Sequence, residues 1–356
     1  MKILLIRLRL IGDVVFTTPA IRALRRQFPD ARLSYLVEPE AAPVVRGNPH
    51  LDEVIVAPRP AGLKRLGFDL ALARQLRAAR FDLVIDFHGG PRSSWLAWAS
   101  GAPKRVGYVV RGRSWMYTDR VARPRELRAR HSVENQWDLV AALGLDPPDR
   151  ARDPVEMPED PEAARSIARQ LAAAGVGDLS EAVVLHVSAG NPFRRWPADA
   201  FVELIVELAR ADPGRRIVVT SGPSDAAAAT AIQEAARLRL GTEGSQVVSG
   251  CGEFTLPELR ALIAHAALFI GGDSGPLHVA ATTRVPVVGL YGPTLPARSA
   301  PWRDPAAPSE AAEVEGLSCR PCDQRRCEPG DFRCLRWLTP QQVAARAERA
   351  LGRRCP

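Results

Sequence analysis

The stretch FIGGDSGPLHVAA, residues 269–281, leaves an apolar run through two glycines and places Asp273, Ser274 and Gly275 before a proline, with His278 close behind. Asp and Ser can cap a following helix, proline suits its first turn, and glycine lets other groups approach the backbone. A helix start of this kind presents N–H groups and the positive end of its dipole, which suits a phosphate. A carboxylate at the same place suits a neutral hydroxyl donor such as a sugar, so the combination points to a nucleotide sugar. Capping alone accounts for the same residues, and a single histidine more often packs than ligates.

Two further stretches have the same character. SAGNPFRRWPADAF, residues 188–201, sets Arg194 and Arg195 between an apolar run and a helix opened by Pro197. Guanidinium groups offer forked donors to a diphosphate that must leave with added negative charge. In an arginine-rich chain they also read as ordinary surface residues, with Trp196 packing beneath. RLIGDVVFTTPA, residues 9–20, bends at Gly12 and puts Asp13 at a helix start, where it reads as a cap or as a base. No GxGxxG follows either half's first apolar run, which counts against a dinucleotide cofactor. DxD-like metal pairs are absent as well.

The elements that must carry these residues alternate between strand and helix, twice over. KILLIRL, ARLSYLVEP, DEVIVA, FDLVIDF and RVGY read as strands, with TPAIRALRRQF and LALARQLRAAR helical between them. GLDPPDRARDPVEMPEDPEAA, rich in proline and acid, reads as a linker without regular structure. The alternation then restarts with AVVLHVS, RRIVVTSG, SQVVSG, ALFIGGDS and VPVVGLYG as strands and DAFVELIVELARA, AAAATAIQEAARLR, LPELRALIAHA and PLHVAATT as helices. Strands separated by helices imply parallel sheets covered on both faces. The expected architecture is α/β, with two Rossmann-like domains whose parallel sheets face a central cleft. Its expected parts are residues 1–150, a linker 151–165, a second domain 166–340 and a tail 341–356. Ligands of open α/β sheets bind beyond the carboxyl ends of the strands, where all three stretches fall.

Composition narrows the class. With 356 residues, 46% hydrophobic and 25% charged, the chain is long enough for two cores and balanced like a globular protein. No apolar run approaches the roughly 20 residues of a membrane span. The start, MKILLIRLRLIGDVV, is interrupted by Arg7, Arg9 and Asp13 and reads as a first strand rather than a signal peptide, which makes the expected location cytoplasmic. The net charge of +8 is uneven: residues 1–150 hold 25 basic against 15 acidic residues, and the remainder is slightly acidic. Only Lys2, Lys64 and Lys104 are lysines, so arginine number reflects coding bias, whereas its asymmetry assigns an anionic partner to the first half.

Cysteines give a separate signal. Cys319, Cys322, Cys327 and Cys334 are spaced C-x2-C-x4-C-x6-C, while Cys251 and Cys355 stand apart. Four thiolates at such spacing suit a structural zinc; free or reversibly oxidised thiols and an iron–sulfur cluster are the alternatives.

Taken in order, RLRLIGDVVFTTPAIRALRRQFP, FDLVIDFHGGPRSSWLAWASG, FRRWP, TSGPSDA, FIGGDSGPLHVAA and VGLYGPT resemble the bacterial heptosyltransferases of glycosyltransferase family 9, over residues 1 to about 345. The resemblance implies the GT-B fold and inverting, metal-free transfer of heptose from ADP-heptose to the lipopolysaccharide inner core, with no catalytic cofactor. It matches Asp13 to a general base, Arg194 to a diphosphate contact, and Asp273 and His278 to donor-site positions. SAGNPF stands where the family has a Thr-rich loop, which puts Ser188 beside the donor. The basic first half then becomes the acceptor domain, with Arg59, Lys64, Arg65, Arg111, Arg113 and Arg120 meeting an anionic glycolipid at the cytoplasmic face of the inner membrane. A transferase with another nucleotide sugar or acceptor, or a nucleotide-sugar epimerase, is the second reading. A non-enzymatic anion-binding protein with a zinc module and a basic surface, which would bind nucleic acid, is the third; it is disfavoured because acids and phosphate-type loops recur at matching strand ends, and no nucleic-acid partner is expected.

Overall fold

Short runs of leucine, isoleucine and valine become the strands of two fully parallel sheets, buried on both faces as such runs require. The computed structural model describes residues 1–62, 64–122, 130–177, 179–248 and 253–352, so Cys251 and Cys355 lie outside the described residues. The chain divides into two units, Met1–Pro158 and Glu159–Pro356.

The first unit holds β1 (Lys2–Ile6), β2 (Arg32–Val37), β3 (Glu53–Val56), β4 (Leu83–Asp86), β5 (Lys104–Tyr108) and β6 (Asp119–Val121), in the order β3-β2-β1-β4-β5-β6. Ile3, Leu4, Leu5 and Ile6 are wholly buried, so β1 has no solvent face. The chain builds outward from β1 on one side and from β4 on the other, which makes the β1/β4 gap the switch point where an open sheet forms its crevice. Helices Thr18–Gln27, Lys64–Ala79, Pro91–Ala99 and Ser132–Ala141 belong to the same unit. The last begins with a capping box, His131 accepting from Val133 N and Glu134 reaching back to the His131 amide.

The second unit holds β7 (Ala182–His186), β8 (Arg216–Thr220), β9 (Leu268–Gly272), β10 (Val287–Tyr291) and β11 (Ser309–Glu313), in the order β11-β10-β9-β7-β8. Its switch point lies between β7 and β9. Gly271 and Gly272 allow that crevice to close tightly: a Cβ on Gly271 would sit 2.9 Å from Phe269, and one on Gly272 would sit 3.3 Å from the Arg194 carbonyl.

Three expectations need correction. Residues 151–160 lack helix and strand as expected, but they are pinned by specific contacts, and the last residues of 151–165 are helical. Asp153 pairs with Arg26 at 3.0 Å, Glu156 pairs with Arg22 and donates its amide to Thr18 Oγ1, and a helix begins at Pro161. Asp160 caps that helix through the amides of Glu162 and Ala163, so the Asp-Pro pair marks a helix start within a proline-rich stretch. SQVVSG forms no named strand among the described residues, only a bridge between Val247 and Ile217. Finally, β6 and β11 extend both sheets beyond what apolar patterning indicated. Among the described residues no helix is long and apolar enough to cross a membrane.

Candidate active site

At the first switch point, β1 ends and the chain turns into the short helix Ile11–Val15, whose third residue is Asp13. Asp13 Oδ2 lies 2.5 Å from Arg7 Nη2 and accepts the Leu10 amide at 3.4 Å, so the side chain does close the helix start. Arg7 also donates from Nη1 to the Phe87 carbonyl at 2.7 Å, which ties the acid to the end of β4. Gln136, on the helix Ser132–Ala141, donates to the Asp13 carbonyl at 3.3 Å. The Asp13 side chain stays 34% exposed, so water or a hydroxyl can reach it.

The loop after β4 is set by a buried acid that patterning did not single out. Asp86 accepts from the His88 amide at 2.9 Å, the Gly89 amide at 3.1 Å and the Tyr117 hydroxyl at 2.6 Å. Burial pushes the Asp86 carboxyl up, against the pull of these hydrogen bonds. His88 is pushed down to about 4 by burial and by the charges of Arg7 and Arg9, and is neutral at pH 7.

At the second switch point, Arg194 closes the 3-10 turn Pro192–Arg194 and reaches across to the end of β9. Its Nη1 donates to the Asp273 carbonyl at 2.9 Å and lies 3.4 Å from Asp273 Oδ2. Thr294, after β10, donates to the same Oδ2 at 2.6 Å. His278 Nε2 stands 3.5 Å from Asp273 Oδ1. Burial alone would raise the Asp273 carboxyl, but the His278 imidazole, the Arg194 charge and the Thr294 hydroxyl outweigh it and hold the group at about 2. Ser274 Oγ is buried without a hydrogen-bond partner among the described residues, and Asp273 Oδ1 faces only the His278 imidazole at 3.5 Å. Buried polar atoms are normally satisfied, so these under-satisfied oxygens mark a place where a ligand would supply partners. The expected serine cap is absent, for the Ser274 side chain bonds no amide of the helix Gly275–Ala280.

Ser188 and Arg195 are spent differently. The Thr220 hydroxyl donates to the Leu185 carbonyl, which leaves its oxygen to accept His186 Nδ1–H at 3.0 Å. His186 Nε2 then accepts the Ser188 hydroxyl at 2.9 Å, and Ser188 Oγ accepts the Gly222 amide at 2.8 Å. Ser188 therefore latches the end of β7 to the loop after β8. His186, pushed down to about 4 by burial, is neutral and suits this role. Arg195 donates to the Ala189 carbonyl at 3.0 Å and pairs with Asp225 at 3.1 Å. Trp196 is buried, donates to the Leu338 carbonyl and meets Phe201 edge to face at 4.9 Å.

The basic residues of the first unit fall into two groups. Arg59 faces Glu38 at 4.0 Å and Arg65 faces Asp69 at 3.6 Å, both acids of a buried cluster in which Arg92 bonds Glu38 and Asp69. Lys64, Arg111 and Arg120 are exposed, with Arg120 Nε donating to the Tyr117 carbonyl at 3.5 Å; Arg113 is half-buried and donates to the Gly89 carbonyl. Leu66, Phe68 and Leu70 are exposed beside Lys64, and exposed Trp98 meets exposed Trp115 edge to face at 5.7 Å.

Cys319, Cys322, Cys327 and Cys334 are free and line one small cavity with Phe193, Pro293 and Phe332. Among the described residues no three Cys, His, Asp or Glu side chains are gathered closely enough to hold a metal ion. The Cys334 thiol is pushed up to about 11, chiefly by burial, so it is protonated at neutral pH.

Two parallel α/β units, each with charged groups at its switch point, make this a GT-B glycosyltransferase fold. The family model for glycosyltransferase family 9 (heptosyltransferase) matches residues 70–330. Lipopolysaccharide heptosyltransferase 3 of Escherichia coli K12 is 30% identical over 298 residues, covering 82% of this chain and 83% of that protein. A family 9 glycosyl transferase of Veillonella parvula superposes with a TM-score of 0.84 at 24% identity, covering 99% of this chain and 98% of that one. E. coli ADP-heptose lps heptosyltransferase II gives 0.77 at 22% identity, with the same shares covered. The chain belongs to glycosyltransferase family 9 and is a transferase enzyme.

Proposed function

We propose that the protein transfers a heptose from ADP-heptose to the inner core of lipopolysaccharide, with inversion, without a metal ion and with Asp13 as the general base. The observation that carries this reading is the set formed by Arg194, Asp273, Thr294 and His278 at the second switch point, with the unpartnered buried hydroxyl of Ser274 next in the chain. The names of similar proteins supply the donor and acceptor classes.

The chemistry follows from the groups present. The acceptor hydroxyl gives its proton to the exposed Asp13 carboxylate, and its oxygen forms the new bond to the anomeric carbon as the bond to ADP breaks. The electron pair of that bond leaves on the β-phosphate, where the Arg194 guanidinium meets the added charge. Asp273 Oδ1 accepts from a hydroxyl of the donor, and Ser274 and Gly275 line the diphosphate. Arg7 holds Asp13 in place as the protein's own counter-ion. Arg111, Arg113, Arg120 and Lys64 offer charge to the phosphates and carboxylates of the acceptor. Arg59 and Arg65 contribute less, because Glu38 and Asp69 already face them. The exposed Leu66, Phe68, Trp98 and Trp115 among these cations suit the surface of an anionic bilayer.

The test is transfer itself. Purified protein with ADP-heptose and a core acceptor should give one added heptose by mass spectrometry and free ADP, at an unchanged rate in EDTA. Activity that disappears in EDTA and returns with magnesium contradicts the metal-free scheme. Epimerised nucleotide sugar without transfer, or transfer only from another donor, gives the result to the second reading.

A further inference from the structure

We propose that Gln324, on the cysteine-rich loop, is a positioning residue that presets Arg194 for the donor diphosphate. The inference rests on the reading of Arg194 given above. Gln324 Oε1 accepts two hydrogen bonds, from Arg194 Nε at 2.7 Å and from Asn191 Nδ2 at 3.0 Å. Asn191 in turn accepts the Phe193 amide at 3.0 Å and so opens the 3-10 turn that Arg194 closes. One amide oxygen therefore holds both ends of the turn.

The guanidinium is fixed by three directions on one side. Nε is taken by Gln324, and Nη1 by the Asp273 carbonyl and carboxylate. That leaves Nη2 without a protein partner among the described residues, on a side chain 30% exposed. An arginine is long and rotamer-rich, and ordering it only when the ligand arrives subtracts from affinity. Arg194 is ordered in advance, with its plane set and one edge open.

Gln324 can do this only if its own loop is held, and it is. Arg320 donates to the Thr294 carbonyl at 2.6 Å and to the Val314 carbonyl at 2.7 Å, and pairs with Glu313 at 2.8 Å. The Cys322 amide donates to the Pro293 carbonyl at 3.2 Å, and Phe332 packs on Phe193 with ring centres 5.3 Å apart. Gln324 itself has φ of +60°, a left-handed conformation that a non-glycine residue adopts when its surroundings impose it. The same loop thus touches the donor site twice, through Gln324 on Arg194 and through Arg320 on the segment that delivers Thr294 to Asp273. The thiol cavity lies between these anchors, walled by Phe193, Pro293 and Phe332. The role of the cysteine-rich segment is to hold this wall of the donor site.

ADP binding, measured by calorimetry on the full chain, tests the inference in four proteins: wild type, Gln324→Met, Arg194→Ala and the double variant. Methionine keeps the length of glutamine and removes the acceptor. Gln324→Met should raise the ADP dissociation constant about five- to tenfold, the net worth of one typical intramolecular hydrogen bond. Its melting temperature should stay within a few degrees of wild type, because the loop keeps its Arg320, Cys322 and Phe332 anchors. In the Arg194→Ala background the same substitution should change nothing further, because a positioning residue has lost the group it positions. The inference is overturned if Gln324→Met binds ADP like wild type while Arg194→Ala does not, or if its effect persists undiminished without Arg194. An Arg194→Ala protein that binds ADP normally removes the underlying reading of Arg194 instead.

Discussion

The two switch points carry acids of opposite character. Asp13 follows β1, is 34% exposed and has one close charged partner, Arg7. Asp273 follows β9, is 3% exposed at its side chain and sits among Arg194, Thr294 and His278. A carboxylate that must take a proton from an incoming hydroxyl needs access, and a carboxylate that shapes a binding site needs fixed neighbours. The proposed function gives proton transfer to the first unit and donor binding to the second, and the difference in exposure is what supports that division.

The largest expected effect falls on Asp13. Asp13→Asn keeps size and can still accept the Leu10 amide, so its role as a cap survives. As a base it is lost, and kcat should fall by about 10² to 10⁴. Steady-state kinetics on the true acceptor check this, and retained activity would make Asp13 a cap alone.

Asp273→Asn should act through binding and stability instead. It leaves Arg194 and His278 without their carboxylate, at a cost of about 1 to 3 kcal/mol in unfolding free energy, together with weaker ADP binding. The comparison sharpens with pH. The folded-state value of Asp273, about 2, lies below its ordinary 3.8, so the stabilisation is complete above about pH 4 and is lost as pH falls through 2. Denaturant titrations of wild type and Asp273→Asn should therefore differ by roughly 2 kcal/mol at pH 6 and converge toward pH 2. A gap that stays constant across that range would mean that the charge of Asp273 is not what holds the site.

The smallest effect is expected at Ser188. Ser188→Ala frees His186 Nε2 and the Gly222 amide and should cost about 1 kcal/mol of stability, with ADP affinity nearly unchanged. Lost ADP binding at full stability would return Ser188 to the donor.

How much of this was legible follows from the physics of each element. The parallel strands could be read because burial on both faces demands continuous apolar residues, as in KILLI and AVVLH. The strand DRV has three residues and SEAAE lacks β-branched side chains, so neither β6 nor β11 carried that signal. Asp13, Arg194 and Asp273 stood out because loops after strands concentrate polar groups beside glycine and proline. The Ser188 latch did not, for it depends on the β7–β8 register that sets His186 opposite Thr220. Gln324 was hidden for a different reason: spacing drew attention to the thiols around it, whereas the contact to Arg194 spans 130 residues.

The division of labour between the two units is tested most directly by the ADP affinity of Asp13→Asn, measured on the same preparation as its turnover. If the first unit supplies the base and the second holds the donor, ADP binds within about twofold of wild type while kcat has fallen by at least about 10². A dissociation constant that rises in parallel with the loss of turnover would contradict the account, because Asp13 would then belong to the donor site.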